Sequence, residues 1–98
     1  MTINKTQEGS KLTVALEGRL DTTTAPELEA DLKESLGNVT ELTMDLEKLD
    51  YISSAGLRVL LWAQKTMNQN GSMVVKNVSE VVNEVFEVTG FADILTIE

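Results

Sequence analysis

The chain of 98 residues is 42% hydrophobic and 24% charged, an ordinary globular composition, and sixteen acids against eight bases give a formal net charge of −8. That balance excludes the basic patch that a nucleic-acid or anionic-membrane surface requires. With no cysteine and no histidine, the chain also lacks disulfides, thiol nucleophiles, thiolate or imidazole zinc sites and any Ser-His catalytic pair.

The length fits one domain, residues 1–98, with a small core. Residues 2–8 and 11–18 read as two strands joined by a Gly9-Ser10 hairpin turn. In the second, Leu12, Val14 and Leu16 alternate with Thr13, Ala15 and Glu17, the period of a half-buried strand. Thr24-Ala25-Pro26-Glu27 reads as a capping box with proline in the first turn. The helix after it carries Leu28, Leu32 and Leu36 as a buried stripe and ends at Gly37-Asn38. Its acids Glu27, Glu29, Asp31 and Glu34 form a solvated face, with Glu29 and Lys33 an i, i+4 pair.

Leu42-Thr43-Met44-Asp45-Leu46 is the third predicted strand. Ser53 or Ser54 caps a second helix that runs to about Asn70 and is closed by Gly71, with Leu57, Leu60, Leu61, Ala63 and Met67 as its core face. Residues 72–76 form a short strand. Ser79 caps a third helix, which carries Val81, Val82, Val85, Phe86 and Thr89 on one side and ends at Gly90. Ile94 to Ile97 reads as a last short strand. The order β-β-α-β-α-β-α-β predicts an α/β fold: a mixed, mostly parallel sheet with an antiparallel N-terminal hairpin, right-handed crossovers and three main helices.

This topology gathers the loops at the carboxyl ends of the parallel strands along one edge. The Gly18–Thr24 loop and the Glu47–Ser54 loop both leave such ends, so Asp21 is expected beside Ser53 and Ser54. A helix N-terminus offers unpaired N–H groups and a partial positive charge, which suit an anion such as a phosphate carried on serine. Either serine is equally explained as an N-cap, although two hydroxyls exceed what one cap needs. Gly56 fits close packing of the helix start against the sheet, and it also fits close approach by a partner. Arg58, Trp62 and Lys65, at i, i+4 and i+7, form a stripe opposite much of the helix's core face. A tryptophan between two cations suits a protein interface or packing against a neighbouring loop.

Asp21, Asp45 and Asp50 do not make a convincing magnesium site without a phosphate-binding loop. No metal, cofactor or catalytic residue is expected. The longest apolar run, Leu57 to Ala63, is interrupted by Arg58 and too short to span a bilayer. Met1-Thr2-Ile3-Asn4-Lys5 lacks the apolar stretch of a signal peptide, so a cytoplasmic location without membrane insertion is expected.

The Gly18-Arg19-Leu20-Asp21 turn, the Leu46…Leu49…Ile52-Ser53-Ser54-Ala55-Gly56-Leu57 segment and the Val85-Phe86…Thr89-Gly90-Phe91 helix end resemble a STAS domain of the bacterial anti-sigma factor antagonist family. The resemblance covers essentially the whole chain. It implies a protein that binds an anti-sigma factor with serine kinase activity and so releases a sigma factor. It also implies that phosphorylation at the start of the second helix ends the binding, and that a serine phosphatase restores it. Laid on the family's Asp-Ser-[Ser/Thr]-Gly-Leu segment, the phosphorylated residue is Ser54, with Ser53 the second choice. The family's acid near the strand-two turn falls on Asp21. Ser53 stands where the family often has Asp, and Ala55 where it has a second hydroxyl. The partner-binding set read on this basis is Asp21, Ser53, Ser54, Gly56, Arg58, Trp62 and Lys65. The alternative is an unphosphorylated STAS subunit of a signalling scaffold or a membrane lipid-transport complex.

Overall fold

Alternation of leucine and valine with polar residues makes β2 (Lys11–Leu20) a strand with one buried face, formed by Leu12, Val14, Leu16 and Leu20. The computed structural model describes residues 1–98. β1 (Thr2–Glu8) pairs with β2 antiparallel across the Gly9-Ser10 turn. β3 (Glu41–Ile52) and β4 (Ser72–Lys76) follow in parallel, and the sheet order is β1-β2-β3-β4. Successive right-handed crossovers that advance in one direction place their helices on one face. α1 (Ala25–Ser35) and α2 (Ser54–Asn70) therefore lie side by side over the buried side of the sheet, with α3 (Glu80–Thr89) completing the layer. The opposite side, with Thr6, Thr13, Thr43 and Asp45, is open to solvent.

β3 extends six residues beyond the predicted strand and reaches Ile52. Its buried residues are Leu42, Met44 and Leu46, then Leu49 and Ile52. The spacing changes from two to three because β3 carries one extra residue opposite Ala15–Glu17 and another opposite Gly18–Arg19. Each bulge returns the next apolar side chain to the core. The bulges also carry the strand end up to the start of α2.

The C-terminal strand is not formed. Phe91–Asp93 make a 3₁₀ turn, and Ile97 makes a single parallel bridge to Val75. Two backbone hydrogen bonds secure it, Val75 N–H to the Thr96 carbonyl (2.8 Å) and Glu98 N–H to the Val75 carbonyl (2.9 Å). On α3 only Val82 and Phe86 are buried; Val85 is half-buried and Thr89 exposed. Val81 and Val88 are 59% and 81% exposed, so the expected five-residue core face is narrower. The cap at Ser79 is made, its Oγ accepting from Val82 N–H at 3.3 Å.

On α2, Leu57, Leu60, Ala63 and Met67 are buried, whereas Leu61 is half-buried and Val59 and Gln64 take up core positions instead. Both polar atoms of the Gln64 amide find partners there. Its Nε2 donates to Asn68 Oδ1 (2.9 Å), and its Oε1 accepts from Thr96 N–H (3.4 Å). At the far edge Lys5, on the core-facing side of β1, reaches Asp31 and donates to Ser35 Oγ (3.0 Å) on α1. No helix is long and apolar enough to cross a membrane.

Gly71 closes α2, its N–H bonded to the Met67 carbonyl at 2.7 Å. A Cβ at this position would lie 1.9 Å from the Thr40 carbonyl oxygen, a backbone atom that cannot turn away. Gly37 has open space around it. Gly71→Ala is therefore expected to destabilise the fold by about 1–3 kcal/mol or more, as overpacking does. Gly37→Ala should be neutral or slightly stabilising. Urea unfolding midpoints at constant slope check both.

Candidate functional site

The upper edge of the sheet is built from the ends of β2 and β3. Ser53 N–H donates to the Leu20 carbonyl (2.9 Å), extending the β2–β3 pairing by one bond and placing Ser53 beside Asp21. α2 begins at the next residue. The helix can sit this close because Gly56 has no side chain. A Cβ there would meet Leu20 Cγ at 2.7 Å and Ile52 Cγ1 at 2.9 Å. Gly56 is buried toward the sheet. Close packing of the helix start against the sheet accounts for this glycine.

The two serines divide the work. Ser53 has extended backbone geometry and caps α2, its Oγ accepting from Gly56 N–H at 3.4 Å. Ser54 is the first helical residue and is exposed. Its hydroxyl is not needed for the cap.

The loop across from them is organised by Asp21. Its Oδ1 accepts from Thr23 Oγ1 (2.7 Å), Thr23 N–H (3.0 Å) and Thr24 N–H (3.1 Å). The Thr23 hydroxyl, then the loop's N–H groups and the Thr24 hydroxyl, hold the Asp21 carboxyl down to about 2, against a weaker upward pull from burial. The expected capping box at Thr24 and Glu27 is not made. The Thr24 hydroxyl turns back instead, accepting from Asp21 N–H and donating to the Arg19 carbonyl, both at 2.8 Å. A closed ring of bonds inside the loop competes successfully with the helix cap. Asp21 therefore acts first as the organiser of this loop.

Two features were not legible as pairs in the sequence. Arg19 and Tyr51 are cross-strand partners on the open side of the sheet, with the Arg19 guanidinium carbon 4.2 Å from the Tyr51 ring centroid. The Arg19 Nε also lies 3.8 Å from Asp21 Oδ2. The second bulge creates this pair, and no sequence spacing marks it. The other feature is a cleft of about 400 Å³ between the first turns of α1 and α2, lined by Thr22, Pro26, Glu29, Ala55, Arg58 and Trp62 among others. Arg58 and Lys65 are exposed, as expected. Trp62 is half-buried and packs against the core, and the cation over its ring is Lys33 of α1, at 5.8 Å. The stripe thus places one aromatic wall in the cleft, not an exposed tryptophan between two cations.

Asp45 accepts from Glu47 N–H and from Asn77 Nδ2, both at 3.1 Å, which accounts for it locally. Asp50 is exposed at the end of β3. The edge presents the exposed hydroxyls of Ser54 and Thr22, an acid-organised loop and a part-apolar cleft beside Arg58.

The STAS domain family model matches residues 2–98, and the chain belongs to that family. It is 39% identical over 88 residues to BtrV of Bordetella bronchiseptica, named as a candidate anti-sigma factor antagonist, covering 88% of this chain and 76% of that protein. It is 31% identical over 97 residues to the anti-sigma-B factor antagonist of Staphylococcus aureus, covering 97% and 90%. The fold matches the anti-sigma factor antagonist SpoIIAA in its unphosphorylated form with a TM-score of 0.85 at 20% identity, over 99% of this chain and 88% of that one. The phosphorylated form of Bacillus SpoIIAA matches at 0.77 and 19% identity, over 99% and 91%.

The Asp21 carboxylate is held below its ordinary value, so its stabilising contribution is complete above about pH 4 and is lost as pH falls toward about 2. Asp21→Asn should lower the melting temperature at pH 7. The gap from wild type should narrow steadily from pH 4 to pH 2, as thermal melts across that range would record. A gap independent of pH would show that the charge of Asp21 does not hold the loop.

Proposed function

We propose that this STAS domain is an anti-sigma factor antagonist that binds an anti-sigma factor, and so frees a sigma factor, through the edge formed by the Asp21 loop and the start of α2. The observation that carries the switch is the division between the two serines. Ser53 is engaged in the cap, while Ser54 stands exposed one residue later. A partner with serine kinase activity transfers phosphate to Ser54, a serine phosphatase removes it, and both meet the chain in the cytoplasm. The domain itself is non-catalytic. Ser54, Arg58, Lys65 and the Trp62 wall of the cleft form the contact surface, with Asp21 and Ser53 fixing its shape.

Phosphate adds about −1.5 to −2 charge at pH 7, and a helix N-terminus accommodates it, so the modified protein stays folded. The same charge at an interface fitted to a small neutral hydroxyl must be desolvated against the partner. The modified edge therefore releases the anti-sigma factor.

Ser54→Asp should keep a native circular dichroism spectrum and bind the cognate anti-sigma factor at least about tenfold more weakly, a loss of about 1.4 kcal/mol. Ser54→Ala should bind as wild type and take no label from the kinase and ATP. Isothermal titration and phosphopeptide mapping read these outcomes. Label on Ser53, or on neither serine, would sink the Ser54 switch; no label at all would favour the unphosphorylated scaffold or transport-complex reading.

A further inference from the structure

Sixteen acids surround eight bases in this chain, so an unpaired cation needs a reason. Five bases are in ion pairs: Lys5 with Asp31, Lys11 with Glu41, Arg19 with Asp21, Lys33 with Glu29 and Lys76 with Glu98. Lys48, Arg58 and Lys65 are in none of them, and of these three only Arg58 stands exposed on the first turns of α2. It stands four residues after Ser54, so the two side chains are neighbours on one helix face, about 5–6 Å apart at Cβ. On its other flank it lines the cleft beside Trp62 and Thr22.

We propose that Arg58 is the residue that reads the phosphorylation state of Ser54, an inference that rests on Ser54 being the modified residue. In the unmodified chain the guanidinium is free to line the cleft and meet an acidic group of the partner. A phosphate on Ser54 presents oxygens that match the planar fork of Arg58, and the side chain turns toward them. The turn withdraws the cation from the cleft and reshapes the wall next to Trp62. Phosphorylation thus weakens binding twice: it adds negative charge at the helix start and removes positive charge from the cleft. The other charged groups around this point are Asp21 and Arg19 at the β2 end, Asp50 on β3, and Glu29 and Lys33 on α1. Arg19 and Lys33 are already paired, which leaves Arg58 as the available fork.

The test installs phosphoserine at position 54 by codon suppression, which needs no kinase. Failure of a kinase to label Ser54 would thus sink the switch and leave this measurement readable. Phosphorus NMR titration follows the second ionisation of the phosphate, ordinarily near pH 6. Its midpoint should be lower in the otherwise wild-type protein than in the Arg58→Ala background by roughly 0.3 or more, the scale of a helical i, i+4 charge pair. Arg58→Lys should give an intermediate value, and Lys65→Ala, three turns from Ser54, should leave the midpoint unchanged. Emission from the single tryptophan should differ between the phosphorylated and unmodified chains, and Arg58→Ala should abolish that difference. Equal midpoints with and without Arg58 would overturn the proposal. So would a Lys65→Ala effect as large as that of Arg58→Ala, which would mark a general field and not a pairing.

Discussion

The start of α2 is fixed by a steric condition at Gly56, where the helix comes close enough to Leu20 and Ile52 that no Cβ fits without displacing them. Much of the upper edge follows from that approach. Ser53 can bond back to the Leu20 carbonyl only because the strand runs directly into the helix, and Ser53 then lies in the capping position. With the cap assigned to Ser53, Ser54 is left on the outer side of the first turn. α1 and α2 begin along the same edge, so their first turns leave a cleft between them with Trp62 as a wall. Each side chain at the site thus takes its place from the packing beneath it.

The sequence showed the element order through α3, the hairpin, three helices and the gathering of Asp21 and the two serines on one edge, because each has a local signature; the last predicted strand shrank to one bridge. Alternation marks β2, leucine spacing marks α1 and α2, and parallel crossovers gather the strand ends. The end of β3 was hidden because two bulges change its apolar spacing from two to three between Leu46 and Ile52, a pattern that resembles neither a strand nor a helix. The Arg19–Tyr51 pair was hidden for the same reason, since the shifted register creates it. The sequence also left the Ser53 and Ser54 roles open. Both are good caps, and only the geometry of the strand-to-helix junction separates them. The sequence left Trp62 open between an interface residue and one packed against a neighbour, because the core contact and the Lys33 that stand against it come from outside α2.

Separating cap from free hydroxyl also separates stability from signalling. The Ser53 cap contributes on the order of 1 kcal/mol to a small domain whose total is about 5–15, a share that matters. A modification on Ser53 would disturb the fold as it changed the surface. A modification on Ser54 changes the surface and leaves the cap bond to Gly56 in place. The Asp21 loop is insulated in a similar way, since its hydrogen bonds close within residues 19–24. An edge built this way can vary in charge without altering the scaffold that presents it.

Lys5 bears on whether the open edge of the sheet can pair with another strand. β1 is an edge strand of seven residues with its outer N–H and C=O groups unpaired, the kind of template on which another strand can zip. Lys5 lies at its centre on the core-facing side, held there by Asp31 and Ser35 of α1. A strand added alongside would enclose that ammonium between apolar neighbours and strip its water. The inward-pointing charge on β1 thus works against edge-to-edge pairing of the sheet with another strand.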